Sequence, residues 1–341
     1  MADVAAHVGV SKMTVSRALK RGPGETRDKA ENSDSRKLRR RILAACEALG
    51  YVIDRTAGAF GTGRSGFIAV VIPTLNNSNF SETVQGLTAA AEASGLQLLL
   101  GTTEYRAATE EHLVQAMLSR RPEGVVLTSG SHTPRTRAML QAAGVPVVET
   151  WELPRTPIDH VVGFSNAEAS AAVVQHLFDQ GRRRIAFMGG TSPLDPRGVD
   201  RRRGHARAVK QLGLPEGLVV DCGLPPVSMV QGEQGLALLL ERWPDVDAVL
   251  CVSDPCAFGA LSECQRRKVR VPQRLAIAGF GDFEVGRSCW PRLTTVAVDC
   301  AGIGRAAGEL LLRAIAAHRG GTRITPQKVL MPFRLMARDS S

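Results

Sequence analysis

The sequence predicts a small all-α unit followed by two doubly wound α/β lobes. Residues 3–49 show helical apolar spacing without strand-like runs, and strand-like apolar runs alternate with helical segments from Phe67 onward. The nine strand candidates are Phe67–Ile72, Leu96–Gly101, Gly124–Thr128, Val145–Glu149, Val161–Phe164, Ile185–Gly189, Ala248–Val252, Leu275–Phe280 and Lys328–Phe333. So many strands suit two sheets better than one. We expect a ligand between the lobes, beyond the carboxyl ends of the strands.

The first segment, Asp3–Leu19, predicts two short helices joined at a tight corner. Gly9 permits the corner, and Ser11 is a suitable N-cap for the second helix. The inward positions are Val4, Ala5, Val8, Val15, Ala18 and Leu19, and the outward positions of the second helix are Lys12, Met13, Thr14, Ser16 and Arg17. A DNA-binding helix-turn-helix has this arrangement, since its second helix meets base edges in the major groove. Any small helical hairpin could share the apolar pattern alone.

A third helix is predicted over Arg36–Leu49, ending at Gly50, and the polar stretch Gly22–Ser35 before it is predicted to be a loop. The glycine-rich stretch Thr56–Gly66 indicates a linker or a marginal helix between two domains. We therefore predict a DNA-binding domain over residues 1–52, a hinge over 53–66 and a ligand-binding domain over 67–341. Because the first helix begins almost at Met1, we expect residues preceding it, if there are any, to brace it.

The positive charge of the chain is concentrated at the N-terminus. Of a net charge of +10, residues 1–66 carry 13 Lys and Arg against 7 Asp and Glu. A local basic excess of this kind is expected of a surface that neutralises DNA phosphates. A solvated charged face is the alternative that charge alone leaves open.

Composition indicates a soluble, intracellular protein. A hydrophobic fraction of 44% and a charged fraction of 22% exclude disordered and membrane classes. The longest clean apolar run, Phe67–Ile72, is too short to span a bilayer, and no signal-peptide layout is present. Seven scattered cysteines without a CxxC pair fit a reducing compartment. We expect the protein in the cytoplasm.

Catalytic motifs are missing from the sequence. It holds no GxSxG, HExxH or P-loop pattern, and the GxGxxG match at 61–66 precedes a strand where a dinucleotide motif must follow one. His132 and His205 have no partner at metal-ligand spacing, so we interpret them as surface or supporting groups. We expect a binding protein that uses no cofactor and no metal.

Residues Asp3–Leu19, DVAAHVGVSKMTVSRAL, closely resemble the helix-turn-helix of the lactose repressor family of bacterial regulators. The likeness continues through LGY at 49–51, VVIPTLNNSNF at 70–80, a basic residue three before Gly204, SDPCAFGAL at 253–261, IAGFGD at 277–282 and PRLTTV at 291–296. Within the family, SKMTVSR, LTSGSHTPRT, GVPVVE and AIAGF look most like the gluconate-utilisation repressors. The resemblance implies a DNA-binding headpiece, a hinge and two lobes like those of periplasmic sugar-binding proteins, assembled as a homodimer.

For the headpiece, the resemblance implies that Lys12, Met13 and Arg17 read bases of operator DNA. It makes Ser11, Thr14 and Ser16 phosphate contacts, although capping alone is equally compatible for Ser11 and Thr14. Phe60 stands where the family places an apolar wedge in the minor groove. Ile53, Asp54 and Gly58 depart from the family's hinge, which leaves open whether this hinge forms a helix on DNA.

For the effector site, the resemblance implies a cleft built at strand ends. Its candidate residues are Asn77, Ser78, Asn79, Phe80, Asn166, Arg201, Ser253 and Asp254. Arg201 matches the family's effector-gripping position, and a guanidinium holds a carboxylate through two parallel hydrogen bonds. The alternative is that Arg201, within the run Arg201–Arg203, is merely solvated. Gly281 stands where many sugar repressors have an acidic residue.

These observations favour a repressor that a sugar acid, gluconate or a close relative, releases from operator DNA. Gluconate is a linear polyol, so its site needs a cation, several amides or hydroxyls, and no flat aromatic platform, although Phe80 could stack. Three alternatives stay open. The first is a regulator of the same family that responds to another sugar or to a sugar phosphate. The second is a transport-type sugar-binding protein, and the third is a sugar-acid enzyme.

Overall fold

The computed structural model describes residues 1–19, 33–52, 65–92 and 94–341. The chain divides into two compact units, Met1–Ser65 and Gly66–Ser341. Most of the predicted hinge, including Ile53, Asp54, Gly58 and the wedge residue Phe60, lies outside the described residues.

The described residues of the first unit form three helices, α1 (Ala2–Val8), α2 (Lys12–Leu19) and α3 (Ser33–Ala48). Its core consists of Val4, Ala5, Val8, Val15, Ile42, Ala45 and Cys46. The predicted corner is confirmed: Gly9 has φ +73°, and the amides of Gly9 and Val10 close α1 by donating to the carbonyls of Ala6 and Ala5. The prediction that the loop extends to Ser35 is wrong, because α3 begins at Ser33 with Asp34 in its first turn, where a carboxylate is favourable.

The first lobe of the second unit is built on a six-stranded parallel sheet. Its strands are β1 (Phe67–Ile72), β2 (Gln97–Thr102), β3 (Gly124–Leu127), β4 (Val147–Thr150), β5 (His160–Gly163) and the later β11 (Lys328–Leu330), in the order β11-β5-β4-β3-β1-β2. Its helices are α4 (Ser78–Glu92), α5 (Ala107–Leu118), α6 (Pro134–Ala143) and the later α12 (Cys300–Arg319). Alternate residues of β1 belong to separate apolar clusters on the two faces, as a doubly wound sheet requires.

The second lobe has a four-stranded parallel sheet, β7-β6-β8-β9. The strands are β6 (Ile185–Gly189), β7 (Val219–Asp221), β8 (Ala248–Cys251) and β9 (Ala276–Ala278). Five helices accompany them, α7 (Asn166–Asp179), α8 (Pro196–Gln211), α9 (Met229–Arg242), α10 (Asp254–Arg266) and α11 (Glu284–Ser288). The chain crosses from the first lobe to the second between β5 and α7, so Asn166 opens the second lobe.

Two further strands, β10 (Thr295–Val298) and β12 (Phe333–Met336), form an antiparallel ribbon. The single strand predicted over Lys328–Phe333 is therefore wrong. Pro332, which has no amide hydrogen, separates β11 from β12, and the two strands pair with different partners. The sequence interpretation also missed β7 and β10, which are only three and four residues long. Within the described ranges, no helix has the length and apolarity needed to cross a membrane.

Candidate functional site

Helix α2 presents a polar face to solvent within the first unit. Val15 is fully buried, whereas Ser11, Lys12, Met13 and Arg17 are exposed, and Met13 is 70% exposed despite its apolar side chain. Thr14 and Ser16 are half-buried. The helix is therefore anchored by one face and leaves the predicted base-reading side chains free to meet another surface.

Ser11 caps α2, as the sequence predicted. Its Oγ accepts the amide hydrogen of Thr14 at 3.1 Å and lies 2.9 Å from the Thr14 Oγ1. Both hydroxyls thus stabilise the start of the helix. Because Ser11 also remains exposed, capping and a phosphate contact are compatible there.

The ends of several strands meet between the two lobes. After three of these strands, a residue with a side chain has a strained, left-handed backbone conformation. Tyr105 after β2 has φ +59°, Trp151 after β4 has φ +74°, and Asp282 after β9 has φ +51°. Left-handed backbone costs a residue with a side chain of the order of 1–3 kcal/mol, and such residues concentrate at functional sites. The three strained residues therefore indicate a functional site at these strand ends without reference to any sequence motif.

A row of aromatic rings runs through the interior of the cleft. Phe80 and Trp151 meet edge to face at 5.4 Å, Trp151 and Phe164 at 6.0 Å, and Phe164 stacks on Phe280 at 6.3 Å. The Trp151 Nε1 donates to the Thr83 Oγ1 at 3.1 Å. The cleft therefore contains large aromatic side chains, although a site for a linear polyol was expected to lack a flat aromatic platform.

The two terminal rings of this row are covered by guanidinium groups. The Arg201 guanidinium carbon lies 3.6 Å from the centre of the Phe280 ring, and that of Arg197 lies 5.2 Å from the centre of Phe80. Both rings are almost completely buried. A ligand in the cleft would consequently meet cations rather than a bare aromatic face.

Arg201 is turned inward on α8 and is not a solvated group. Its Nε donates to the Asn166 Oδ1 at 2.9 Å, and its Nη1 donates to the Val252 carbonyl at 2.7 Å. Among the described residues, no carboxylate lies within ion-pairing distance of this guanidinium. Burial lowers its pKa to about 10. In contrast, the side chain of Arg203 is 66% exposed and pairs with Asp200.

Gly204, one turn after Arg201, allows α8 to approach α7 closely. A Cβ at this position would lie only 2.0 Å from the Ala167 carbonyl oxygen. The close approach brings Arg201 to Asn166, which is buried and also donates from its Nδ2 to the Trp151 carbonyl at 3.0 Å. Asn166 thus connects Arg201 to Trp151, the residue with left-handed backbone that follows β4 in the first lobe.

The sequence interpretation missed Arg197, a buried charged residue of the cleft. Its Nη1 donates to the Thr128 carbonyl at 2.9 Å and pairs with the Glu152 Oε1 at 3.1 Å, while its Nη2 lies 3.4 Å from the Asp195 Oδ1. Burial raises the pKa of Glu152. Arg197 belongs to the second lobe, whereas Thr128 and Glu152 belong to the first, so this residue joins the two.

Residues Asn77–Phe80 form the start of α4, beside the end of β1. The Asn77 Oδ1 accepts the Asn79 amide at 3.1 Å and so caps the helix, and Ser78 is exposed. Asn79 is buried and donates across the cleft to the Gly281 carbonyl at 3.0 Å. Of these residues, Asn79 and Phe80 lie within the cleft, and Asn77 supports them.

Ser253 and Asp254 lie at the start of α10, after β8, in different environments. Ser253 is half-buried and does not use its side chain to cap the helix. Asp254 is fully buried; its oxygens accept from the Thr295 Oγ1 at 2.6 Å and the Phe283 amide at 2.8 Å. Burial raises the pKa of Asp254 to about 6. Each carboxylate oxygen of Asp254 thus already accepts a hydrogen bond from the protein itself.

His132 and His205 are not surface groups, so that part of the interpretation is wrong. The His132 ring lies between two buried carboxylates, with its Nδ1 2.7 Å from the Glu110 Oε1 and its Nε2 3.4 Å from the Glu149 Oε1. His205 is buried with its Nε2 3.0 Å from the Ile185 carbonyl. In the part of the chain that the structure describes, no cluster of His, Cys, Asp and Glu has metal-binding geometry.

Two family descriptions match the chain. Residues 1–54 match "Bacterial regulatory proteins, lacI family", and residues 174–341 match "Periplasmic binding protein-like domain". The first covers the three-helix unit, and the second covers most of the second lobe together with α12 and β11.

Individual relatives align over nearly the whole chain. The HTH-type transcriptional regulator GntR of Escherichia coli K12 is 34% identical over 98% of this chain and 96% of its own, and that of Pseudomonas aeruginosa is 35% identical over 99% and 94%. The crystal structure of a LacI family transcriptional regulator from Silicibacter pomeroyi superposes with a TM-score of 0.88, at 32% identity over 99% of this chain and 98% of that one. The chain therefore belongs to the LacI family of DNA-binding bacterial transcription regulators.

Proposed function

We propose that this protein is a cytoplasmic, homodimeric repressor whose binding to operator DNA is controlled by a sugar acid, gluconate or a close relative. The observation that carries the choice of an acid is Arg201, a largely enclosed guanidinium at the strand ends with only neutral acceptors around it. A buried cation without a counter-ion is costly, and an anionic ligand would supply that counter-ion. Regulators named GntR and IdnR among its relatives support the same branch.

In this proposal the carboxylate binds Arg201, and polar groups around it hold the hydroxyls. The candidates are Asn79, Asn166 and Ser253, together with Asn77 and Ser78 at the start of α4; Asn79 and Asn166 already donate to backbone carbonyls of the cleft. Asp254 acts as a positioning residue, because it fixes the segment after β9 through the Phe283 amide. The Arg197 guanidinium covers the ring of Phe80, so this ring does not offer a free face on which a ligand could stack.

The proposal predicts that sugar acids, and not neutral sugars, change operator affinity. We expect gluconate to bind with a dissociation constant in the micromolar range, or about 7–9 kcal/mol, because one charge-assisted pair and several hydroxyl contacts contribute. Operator binding followed by fluorescence anisotropy, titrated against gluconate, its keto and phosphorylated relatives and neutral hexoses, measures this. A neutral hexose acting as strongly as the acid would contradict it.

On the DNA side, we propose that Lys12, Met13 and Arg17 read bases, that Ser11, Thr14 and Ser16 contact phosphates, and that Phe60 enters the minor groove. The two α2 helices of a homodimer would then bind the half-sites of a pseudo-palindrome. The exposed face of α2 supports these roles, because its side chains are not used in the core of the first unit.

Arg17→Ala should relax base preference at one position of each half-site, with a loss of about 1–3 kcal/mol confined to the preferred base pair. Ser16→Ala is the matched comparison, and it should weaken binding to all sequences alike. Anisotropy on operators with single base-pair changes, at fixed salt, separates the two. Equal losses for both variants on every operator would remove Arg17 from the base-reading set.

A further inference from the structure

Helix α8 carries two arginines on one face, and their charge environments differ. Arg197 and Arg201 are one turn apart, so their side chains leave the helix side by side. Arg197 has two carboxylates close to it, on Glu152 and Asp195, whereas Arg201 donates only to an amide and a carbonyl oxygen. One end of this face is therefore neutralised by paired carboxylates, and the other has no carboxylate within ion-pairing distance among the described residues.

A cavity of about 100 Å³ lies at the neutralised end. It is bounded by the ends of β1, β2 and β3 in the first lobe and by residues 193–197 in the second. Five of the residues that line it carry a side-chain hydroxyl, namely Thr103, Tyr105, Thr128, Ser129 and Ser131. Hydroxyls both donate and accept, which suits the uncharged hydroxyls of a polyol.

The charges around this cavity leave no net attraction for a second anion. The positive charge of Arg197 is already matched by Glu152 and Asp195. Glu110, which also lines the cavity, shares His132 with Glu149, so carboxylates outnumber cations there as well. Arg106 also borders the cavity, but its exposure to water screens its charge. A second anionic group would have to lose its water and lie beside enclosed carboxylates, which is unfavourable.

We infer that Arg197, neutralised by Glu152, is a specificity-determining residue that makes the protein select monoanionic sugar acids. The carboxylate of the acid lies at Arg201, the uncharged polyol end enters the cavity beside Arg197, and acids with a second anionic group are rejected. This inference rests on the proposed function, because it assumes a sugar acid in the cleft. Specificity of this kind comes from an unfavourable contact with the wrong ligand as much as from a favourable one with the right ligand.

Calorimetry on the full-length protein tests the inference with three probes, gluconate, the dicarboxylate glucarate and 6-phosphogluconate. The wild type should bind gluconate at least tenfold more tightly than either dianion. Glu152→Gln keeps an oxygen that can accept from Arg197 but removes the charge, so the ratio between gluconate and the dianions should fall at least tenfold. Glu168→Gln, which removes an exposed carboxylate at the start of α7, should leave the ratio unchanged.

Each outcome is decisive. A wild type that binds a dianion as tightly as gluconate overturns the selection of monoanions, and so does a ratio that Glu152→Gln leaves intact. Thermal unfolding and operator binding show whether Glu152→Gln is folded; if it is not, the ratio measured on the wild type decides alone. Binding of none of the three acids by the wild type would overturn the proposed function itself, which separates the two failures.

Discussion

Arg201→Ala is expected to weaken gluconate binding by about 2–5 kcal/mol while operator affinity without ligand stays nearly unchanged. The guanidinium is enclosed by Asn166, the Val252 carbonyl and the ring of Phe280, so its removal leaves the incoming carboxylate without a counter-charge in a partly enclosed site. Calorimetry measures the first effect, and anisotropy on operator DNA measures the second.

Arg203→Ala is the matched control, because it removes the same chemical group from the same helix. Arg203 is exposed and pairs with Asp200 on the surface of α8, so its loss should change gluconate binding by less than about 0.5 kcal/mol. If Arg201→Ala binds gluconate as the wild type does, or if both variants lose the same affinity, the acid is not held at Arg201. Loss of operator affinity in Arg201→Ala alone would indicate a structural role instead.

The architecture was predictable because its determinants are local. The apolar runs of β1 and β6 stand between polar segments and give their bounds directly, and Gly9 and Gly50 mark helix ends where left-handed backbone is required. The family motifs then located α2 and the strand ends. By contrast, β7 and the ribbon of β10 and β12 are too short to show a period, and the position of Pro332 inside an apolar run indicates a break only in retrospect.

The cleft was less predictable, since its chemistry depends on which distant residues meet. Arg201 was found through its spacing from Gly204, whose contact with Ala167 explains that spacing. Arg197 has no such signal, and its partners Thr128 and Glu152 lie 69 and 45 residues away in sequence. Buried pairs of charges are invisible to composition and periodicity, which treat every arginine as a surface residue.

The burial of His132 could not be predicted either, because its charged partners come from other elements of the fold. Replacing His132 should have the largest effect on stability that we expect. Its side chain has no exposure and lies between Glu110 of α5 and Glu149 of β4. The Glu149 Oε2 accepts the Ile158 amide at 2.6 Å, which fixes that carboxylate in place. His132→Leu would leave two enclosed carboxylates without their cation, so the free energy of unfolding should fall by about 3–5 kcal/mol.

This effect should depend on pH in a definite direction. Burial alone would lower the pKa of His132, but hydrogen bonds and charges from Glu110 and Glu149 raise it from 6.5 to about 9. A raised pKa of a basic group stabilises the fold fully below pH 6.5, and that stabilisation is lost as the pH rises through 9. The difference in unfolding free energy between the wild type and His132→Leu should therefore shrink by about 3 kcal/mol from pH 6 to pH 9.5.

Urea unfolding of both proteins at several pH values measures this difference, provided that sugar acids are left out so that ligand binding does not add to stability. His112→Leu is the control, because His112 is exposed on α5, the helix that also carries Glu110. It should change the unfolding free energy by less than about 0.5 kcal/mol at any pH. A difference between wild type and His132→Leu that grows toward pH 9.5 would show that His132 is held neutral, because a buried neutral histidine is penalised at low pH and not at high pH.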